Sequence, residues 1–337
     1  MGSGRKTFLT IALVFTLLTV FVAFYLYLIY TVPYLERREV VEVPKGLGVR
    51  EIAFRLEESR VIKSKEVFIL FVLLKGAKNR IKAGEYEFQP GDSMARVIEK
   101  VTKGDVMVRK VTIPEGLTVD QIGGLLEANG VMSKEEFLKK AKSTEFSRRL
   151  IGNPVSSLEG YLFPDTYSYT KGITPEELIG MMVSRFKEVY LSLKERSGNP
   201  GLTDHEVVTL ASIIEKETGN PSERPLISAV FHNRLKLGMR LESDPTVIYG
   251  MGDDFDGNLR KEDLRNEASG YNTYRAIGLP PGPISNPGRD SLEAALNPAR
   301  VDYLYFVSKG DGTHRFSSSY RDHLDAVIRY QRQGRSH

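Results

Sequence analysis

Apolar residues run without a charge from Thr7 to Leu35, and only from Glu36 onward does the chain alternate hydrophobic with polar positions. That run exceeds the ~20 apolar residues a helix needs to cross a bilayer. It predicts a transmembrane helix over 8–32. The apolar core of a signal peptide is shorter, about 7 to 15 residues, and ends in a small-x-small cleavage site; no such site follows here. Further on, the segment VEVPKGLGVREIAFRLEESRVIKSKEVF recurs as VTIPEGLTVDQIGGLLEANGVMSKEEF. Pro44, Gly46, Leu47, Val49, Ile52, Leu56, Glu57 and Val61 return at an offset of 70 as Pro114, Gly116, Leu117, Val119, Ile122, Leu126, Glu127 and Val131. Each copy reads as a strand, a Pro-Gly turn and a helix with apolar residues at i, i+3 and i+7. Between them the pattern predicts another strand, a turn at Gln89 to Asp92 and a helix capped by Ser93.

From about residue 150 the texture changes to long helical periods broken by proline-rich and glycine-rich loops. Thr174 and Pro175 open a helix running towards Arg196, and Thr203 with Glu206 forms the capping box of the next. SERPLISAVFHNRLKLGM predicts a third helix, followed by RLESDPTVIYGMG, which reads as turn-rich. The long irregular segment YNTYRAIGLPPGPISNPG is too extended for a simple connection and predicts a groove lining. YLYFVSKGDGTHRFS predicts a hairpin with a GDG turn, and a terminal helix follows from about Ser319.

Charge sharpens the picture at the N-terminus. Arg5 and Lys6 precede the apolar run, while Glu36, Arg37, Arg38 and Glu39 after it cancel. The positive-inside rule therefore puts residues 1–7 in the cytoplasm and the bulk of the chain outside. Tyr25, Tyr27, Tyr30 and Tyr34 form an aromatic belt at the outer end. Over all 337 residues, 47 basic against 43 acidic side chains give a net charge of +4, scattered without a basic block, which argues against nucleic acid as a partner. The absence of cysteine excludes disulfides, thiolate nucleophiles and cysteine metal sites and suits an extracytoplasmic chain. His205, His232, His314, His323 and His337 lack metal-ligand spacing, and no cofactor motif occurs.

Carboxylate chemistry remains. In ASIIEKETGN, Val207, Leu210, Ala211, Ile214 and Thr218 define one helix face, with Lys216 opposite and Glu215 and Glu217 on its two edges. The negative end of the helix dipole and an apolar wall both favour a neutral carboxyl there, which suits a general acid. Helical geometry alone leaves the choice between the two glutamates open.

The unit over 40–105 resembles the LysM-like modules of membrane-anchored cell-wall enzymes, with 106–150 as a second βα unit. LEGYLFPDTY, ASIIEKET, VFHNRLKLGMRLESDPTVIYGMG, YNTYRAIGLPPGPISNPG and YLYFVSKGDGTHRFS, in this order, resemble the YceG-like (MltG) family of endolytic murein transglycosylases. The resemblance covers nearly the whole chain. It implies an α+β fold: a transmembrane helix, LysM-like βα units, then a mainly helical, lysozyme-like catalytic region over 151–337 with a β-hairpin. It implies cleavage of the β-1,4 bond between N-acetylmuramic acid and N-acetylglucosamine within nascent strands. The muramyl C6 hydroxyl would serve in place of water, leaving 1,6-anhydro ends and terminating elongation. Glu217, the second glutamate of E-K-E-T, becomes the acid/base, and Glu215 a neighbour that tunes its pKa.

Tyr271 and Asn272, a partial counterpart of the Ala-Tyr-Asn motif of soluble lytic transglycosylases, would orient the sugar amide or the developing charge. Asp244, Thr246, Arg234 and the backbone at Pro281 would line subsites. Against these stand plainer readings: Asp244 opens a turn, Arg234 pairs with an acid, Asn272 caps a turn. Glu159 and Asp165 are the rivals for a second carboxylate, unless they only bond local backbone, and with Asp244 they are the groups that would activate water in a muramidase. The implied partners are peptidoglycan strands and peptidoglycan synthases (penicillin-binding proteins), at the bacterial cytoplasmic (inner) membrane with the catalytic domain periplasmic, and no cofactor or metal. A non-catalytic glycan-binding scaffold is the alternative from another class.

Overall fold

A computed structural model describes residues 2–30, 35–152, 155–198 and 201–332; Tyr34 and His337 fall outside them. The chain divides into two compact units, one up to Arg109 together with Ser168–Lys171, the other comprising the remainder. Among the described residues the architecture mixes helices with three small two-stranded sheets.

In the first unit, α1 (Gly2–Tyr30) contains the apolar span Thr7–Tyr27, of mean hydropathy 2.5, none of it buried. Thr16 and Thr19 donate their hydroxyls to the carbonyls of Ala12 and Phe15, so these two polar side chains are satisfied within the helix. β1 (Glu39–Val43) turns Val41 and Val43 inward. It leads through the Gly46 turn, whose φ of 87° favours glycine, into α2 (Val49–Glu58). The period read from the sequence is the buried face of α2: Val49, Ile52, Ala53 and Leu56. α3 (Lys65–Leu74) follows, then β2 (Gly84–Phe88), which pairs antiparallel with β1 from Glu39 opposite Phe88 to Val43 opposite Gly84. α4 (Met94–Lys103) starts at its Ser93 cap and stops at Gly104. Glu85 of β2, buried, is held by Arg109 at 2.6 Å and Lys171 at 3.1 Å, which draws the 168–171 segment into this unit.

In the second unit, β3 (Arg109–Thr112) leads to α5 (Val119–Ala128) as β1 leads to α2, at the same offset of 70. α6 (Lys134–Ala141) and α7 (Thr144–Ile151) follow, and β3 pairs with β4 (Thr166–Tyr169). The helices that follow are α8 (Pro175–Lys194), α9 (Asp204–Glu217), α10 (Arg224–Lys236), α11 (Asp244–Met251) and α12 (Arg289–Leu296). The hairpin of β5 (Tyr305–Ser308) and β6 (His314–Ser317) and then α13 (Tyr320–Val327) follow, with a last helical turn over Ile328–Arg332.

Two expectations change here. α9 is not amphipathic in its middle: every residue from Val207 to Ile214 is buried, because α10, α11 and α12 all pack on it. The segment from Asp244 is helix, not turns; Pro245 sits in its first turn, where a missing N–H costs nothing. The Thr203 and Glu206 capping box of α9 forms as read from the sequence.

Candidate active site

α9 carries Glu217 at its last residue, and the chain then leaves in extended conformation at Thr218. Glu217 opens on a cleft of about 340 Å³ lined also by Arg234, Glu242, Asp244, Tyr274, Phe306, His314 and His323. Its Oε1 accepts a hydrogen bond from Ser243 Oγ at 2.5 Å. Oε2 has no protein partner among the described residues. Burial pushes the carboxyl up to about 7, with Asp244 adding in the same direction and the Ser243 bond and Arg234 opposing. The half-buried side chain therefore keeps about half of its population protonated at neutral pH while still reachable from the cleft.

Ser243 stands at the N-cap of α11, where a serine ordinarily bonds the first turn of its helix. Here it makes no capping bond and turns its hydroxyl to Glu217 instead. The preceding Glu242 has φ of 51°, a conformation that costs a non-glycine residue free energy and gathers at functional sites. Arg234 holds it there. Its Nη1 donates to the carbonyls of Arg240 and Leu241 and pairs with Glu242 at 3.2 Å, and its Nε donates to Leu304 O. Its guanidinium also lies 5.2 Å from the ring centre of Tyr305. Arg234 thus borders the cleft with its Nε and Nη1 already committed to protein partners.

The other sequence candidates separate into two groups. Asp244 is exposed in the cleft and accepts from Tyr274 Oη at 2.6 Å. Thr246 is fully buried, bonding Ser243 O and Thr273 Oγ1, and so braces Ser243 without lining the cleft. Asn272 is 1% exposed; its amide donates to the carbonyls of Asp263, Leu264 and Asn266, and its Oδ1 accepts from Tyr274 N. No group of Asn272 is left for a sugar; it shapes the loop that carries Tyr274. Asn272→Ala is expected to cost about 1–3 kcal/mol of stability, the penalty for leaving buried partners unmatched, measured by denaturant unfolding.

Tyr271 packs on Tyr249 at 4.9 Å between ring centres, and Pro281 offers its carbonyl to His205 Nε2 at 3.2 Å. A carbonyl only accepts, so Nε2 carries the proton and Nδ1 accepts from Tyr161 Oη at 2.7 Å. Neither Tyr271 nor Pro281 lines the Glu217 cleft.

Glu159 and Asp165 lie apart from it too. Glu159 is 7% exposed and bonded to Val119 N, Asn286 Nδ2 and Tyr249 Oη, with burial pushing it up to about 7. Next to it, Gly160 at φ 86° lets the backbone approach Pro283, whose atoms would lie 2.5 Å from any Cβ. Asp165 pairs with Arg185 at 2.9 Å and accepts from Thr166 N. Glu159 is buried and ties distant segments together, while Asp165, partly exposed, is held by Arg185 away from the cleft.

Glu215 points away from the cleft chemistry. Its side chain is 6% exposed, paired with Arg224 at 3.1 Å and accepting Gly288 N at 3.0 Å. The like charge that acts on Glu217 is Asp244, not Glu215. A larger hollow of about 530 Å³ between Tyr190, Lys194, Asp204 and Leu296 offers no comparable acid: Asp204 is bonded by both Lys194 and Tyr190. Ser243 and Tyr274 were missed in the sequence; a serine just before Asp-Pro is an N-cap signal that would have marked α11 and brought Ser243 into view.

The YceG-like family model matches residues 41–329. The endolytic murein transglycosylase of Bacillus subtilis (strain 168) is 35% identical over 305 residues, covering 86% of this chain and 84% of that protein. The endolytic murein transglycosylase of Streptococcus pneumoniae serotype 2 is 32% identical over 84% of this chain, which spans 56% of that longer protein. A crystal structure of a yceG-like protein from Listeria monocytogenes, 34% identical, superposes with a TM-score of 0.58 over 86% of this chain and 99% of its own. With the family pattern extending from β1 through α13, the chain belongs to the YceG-like family.

Proposed function

We propose that this protein is an endolytic murein transglycosylase, a carbon–oxygen lyase acting on peptidoglycan, with Glu217 as its single acid/base. The observation that carries the reading is one cleft carboxyl raised to about 7, bonded on one oxygen and open on the other. Protonated Glu217 donates to the glycosidic oxygen between N-acetylmuramic acid and N-acetylglucosamine. The C1–O4 bond breaks and positive charge develops at the muramyl C1. The muramyl C6 hydroxyl then bonds to C1 and its proton passes to the Glu217 carboxylate, restoring the acid and leaving a 1,6-anhydro end. Ser243 stabilises the carboxylate of the intermediate stage, and Asp244, oriented by Tyr274, faces the developing cation. Tyr271 and Pro281 flank the strand further along, and Arg234, Thr246 and Asn272 position these groups. Glu159 and Asp165 support the fold, and no water-activating carboxylate is needed.

Around this chemistry the same reading makes 8–32 a single-pass anchor with 1–7 cytoplasmic, 40–105 a LysM-like unit, 106–150 its βα repeat and 151–337 a lysozyme-like catalytic region facing the periplasm. The β1–α2–α3–β2–α4 order and a buried α9 ending in the acid support it. Anchoring would keep the cleft near nascent strands and their synthases, where cleavage terminates elongation. Mass spectrometry of products from purified glycan strands tests the reaction: ends lighter by one water than reducing muramyl ends are expected, and reducing ends would sink it.

Ser243→Ala removes a bond that favours the ionised form. The alkaline limb of the pH profile, set near 7 by loss of the Glu217 proton, should move to higher pH, and kcat should drop about tenfold, within the range for losing one hydrogen bond to a charge. Rates measured between pH 5 and 9 check both.

A further inference from the structure

α3 presents apolar side chains on the wrong side for a soluble helix. Phe68, Phe71 and Val72 are buried, yet Leu70, Leu73 and Leu74 are 44%, 53% and 67% exposed and fall on one stripe of its C-terminal half. Adjacent exposed leucines mark a surface that something covers.

Two observations within the same unit identify the occupant. The ring of Tyr25, inside the apolar span of α1, lies 5.8 Å from that of Phe71. The span Thr7–Tyr27 has 21 residues. At ~1.5 Å per residue it matches a hydrocarbon core of ~30 Å, so Tyr25 sits about 3 Å inside its outer edge. The C-terminal half of α3 is thereby placed at the boundary between acyl chains and headgroups. From Val67 to Gly84 there is no acidic residue, while Lys75, Lys78, Arg80 and Lys82 follow directly on the leucines. Lys75, Lys78 and Arg80 are exposed, and Lys75 Nζ lies 4.6 Å from the Phe71 ring centre, beside Tyr25. Their charges match anionic headgroups.

We propose that α3 is a second membrane contact: Leu70, Leu73 and Leu74 enter the leaflet in which α1 ends, and Lys75, Lys78 and Arg80 meet lipid phosphates. The inference rests on α1 spanning the bilayer. It makes the anchor two-pointed, fixing the first unit against the membrane surface through both α1 and α3. Interfacial helices of this kind lie roughly 5–10 Å deep at the headgroup boundary.

The absence of cysteine makes the test direct. Full-length chains carrying Leu17→Cys, Leu73→Cys, Leu74→Cys or Lys139→Cys, each labelled with bimane, are reconstituted into nanodiscs of phosphatidylethanolamine and phosphatidylglycerol containing spin-labelled lipid. Spin labels at shallow and deep acyl positions read depth. The expected result is about twofold quenching of positions 73 and 74 by the shallow label, stronger than by the deep one, with position 17 quenched by the deep label and position 139 by neither. The two adjacent sites guard against one variant misfolding. Unquenched 73 and 74 with 17 quenched overturn the inference and leave the anchor standing. Position 17 unquenched overturns the anchor and the inference together. Cross-linking of 73 or 74 between copies without lipid quenching would make the face a protein interface, and also overturns it.

Discussion

Glu217→Gln should reduce kcat by about 10²–10⁴, the usual contribution of a general acid, with KM little changed, in assays that count glycan ends released by the purified enzyme. Glutamine keeps the side chain's shape and can still accept from Ser243, so the loss isolates the proton. The same variant carries a second signature, in stability, that reports the raised carboxyl itself. Because burial raises the folded-state value from 4.5 to about 7, the native state binds more protons than the unfolded chain between those values. The stability associated with the protonated carboxyl is fully present below about 4.5 and lost as pH rises through about 7. The charged carboxylate then costs the fold about 2–4 kcal/mol. Glu217→Gln should therefore be more stable than the parent at pH 8 to 9 and nearly equal at pH 4 to 5, read by thermal unfolding. A variant that is both active and equally stable across this range would remove Glu217 from the mechanism.

How much of this could be read from the chain depends on the sequence distance over which each feature is decided. Caps are local: Thr203 with Glu206, Ser93 and Ser319 start helices where the sequence placed them, because a side chain reaching its own first turn needs no distant partner. The 70-residue repeat likewise surfaces as two helices beginning at Val49 and Val119. The choice between Glu215 and Glu217 could not be settled by helical phase, since α9 is enclosed on most sides and both glutamates find protein. What divides them is partners beyond the helix itself: Arg224 and Gly288, 9 and 73 residues away, for one, and Ser243, 26 residues away, for the other. The same holds for Glu159, whose partners Val119, Tyr249 and Asn286 are 40, 90 and 127 residues away. Asn272 and Thr246 were chosen for polar chemistry near a motif, but their polarity serves loop and helix geometry, which only the folded contacts reveal.

Arg224→Met is expected to be the most destabilising of the single changes considered, by about 3–5 kcal/mol, the range for removing one partner of a buried ion pair. Arg224 is 6% exposed and gathers three carboxylates: Glu215 at 3.1 Å, Asp290 at 3.2 Å and Glu115 at 3.7 Å. These residues come from α9, α12 and the turn before α5, so one guanidinium neutralises acids that would otherwise repel across three elements. Without it, Glu215 keeps only the Gly288 N–H, and Glu115, which burial and the neighbouring Glu215 charge already push upward, loses the cation that opposes them. Glu215→Gln should be milder, because it removes one of the three negative charges and leaves Arg224 paired with the other two. Denaturant midpoints of the two variants and of the double variant measure the coupling, and a double variant more stable than Arg224→Met alone is the expected result. Activity per folded molecule should survive Glu215→Gln, since that carboxyl faces Arg224 and Gly288 and not the cleft. If Glu215→Gln instead matched the loss of Glu217→Gln at unchanged stability, the assignment of one glutamate to chemistry and the other to the fold would have to be reversed.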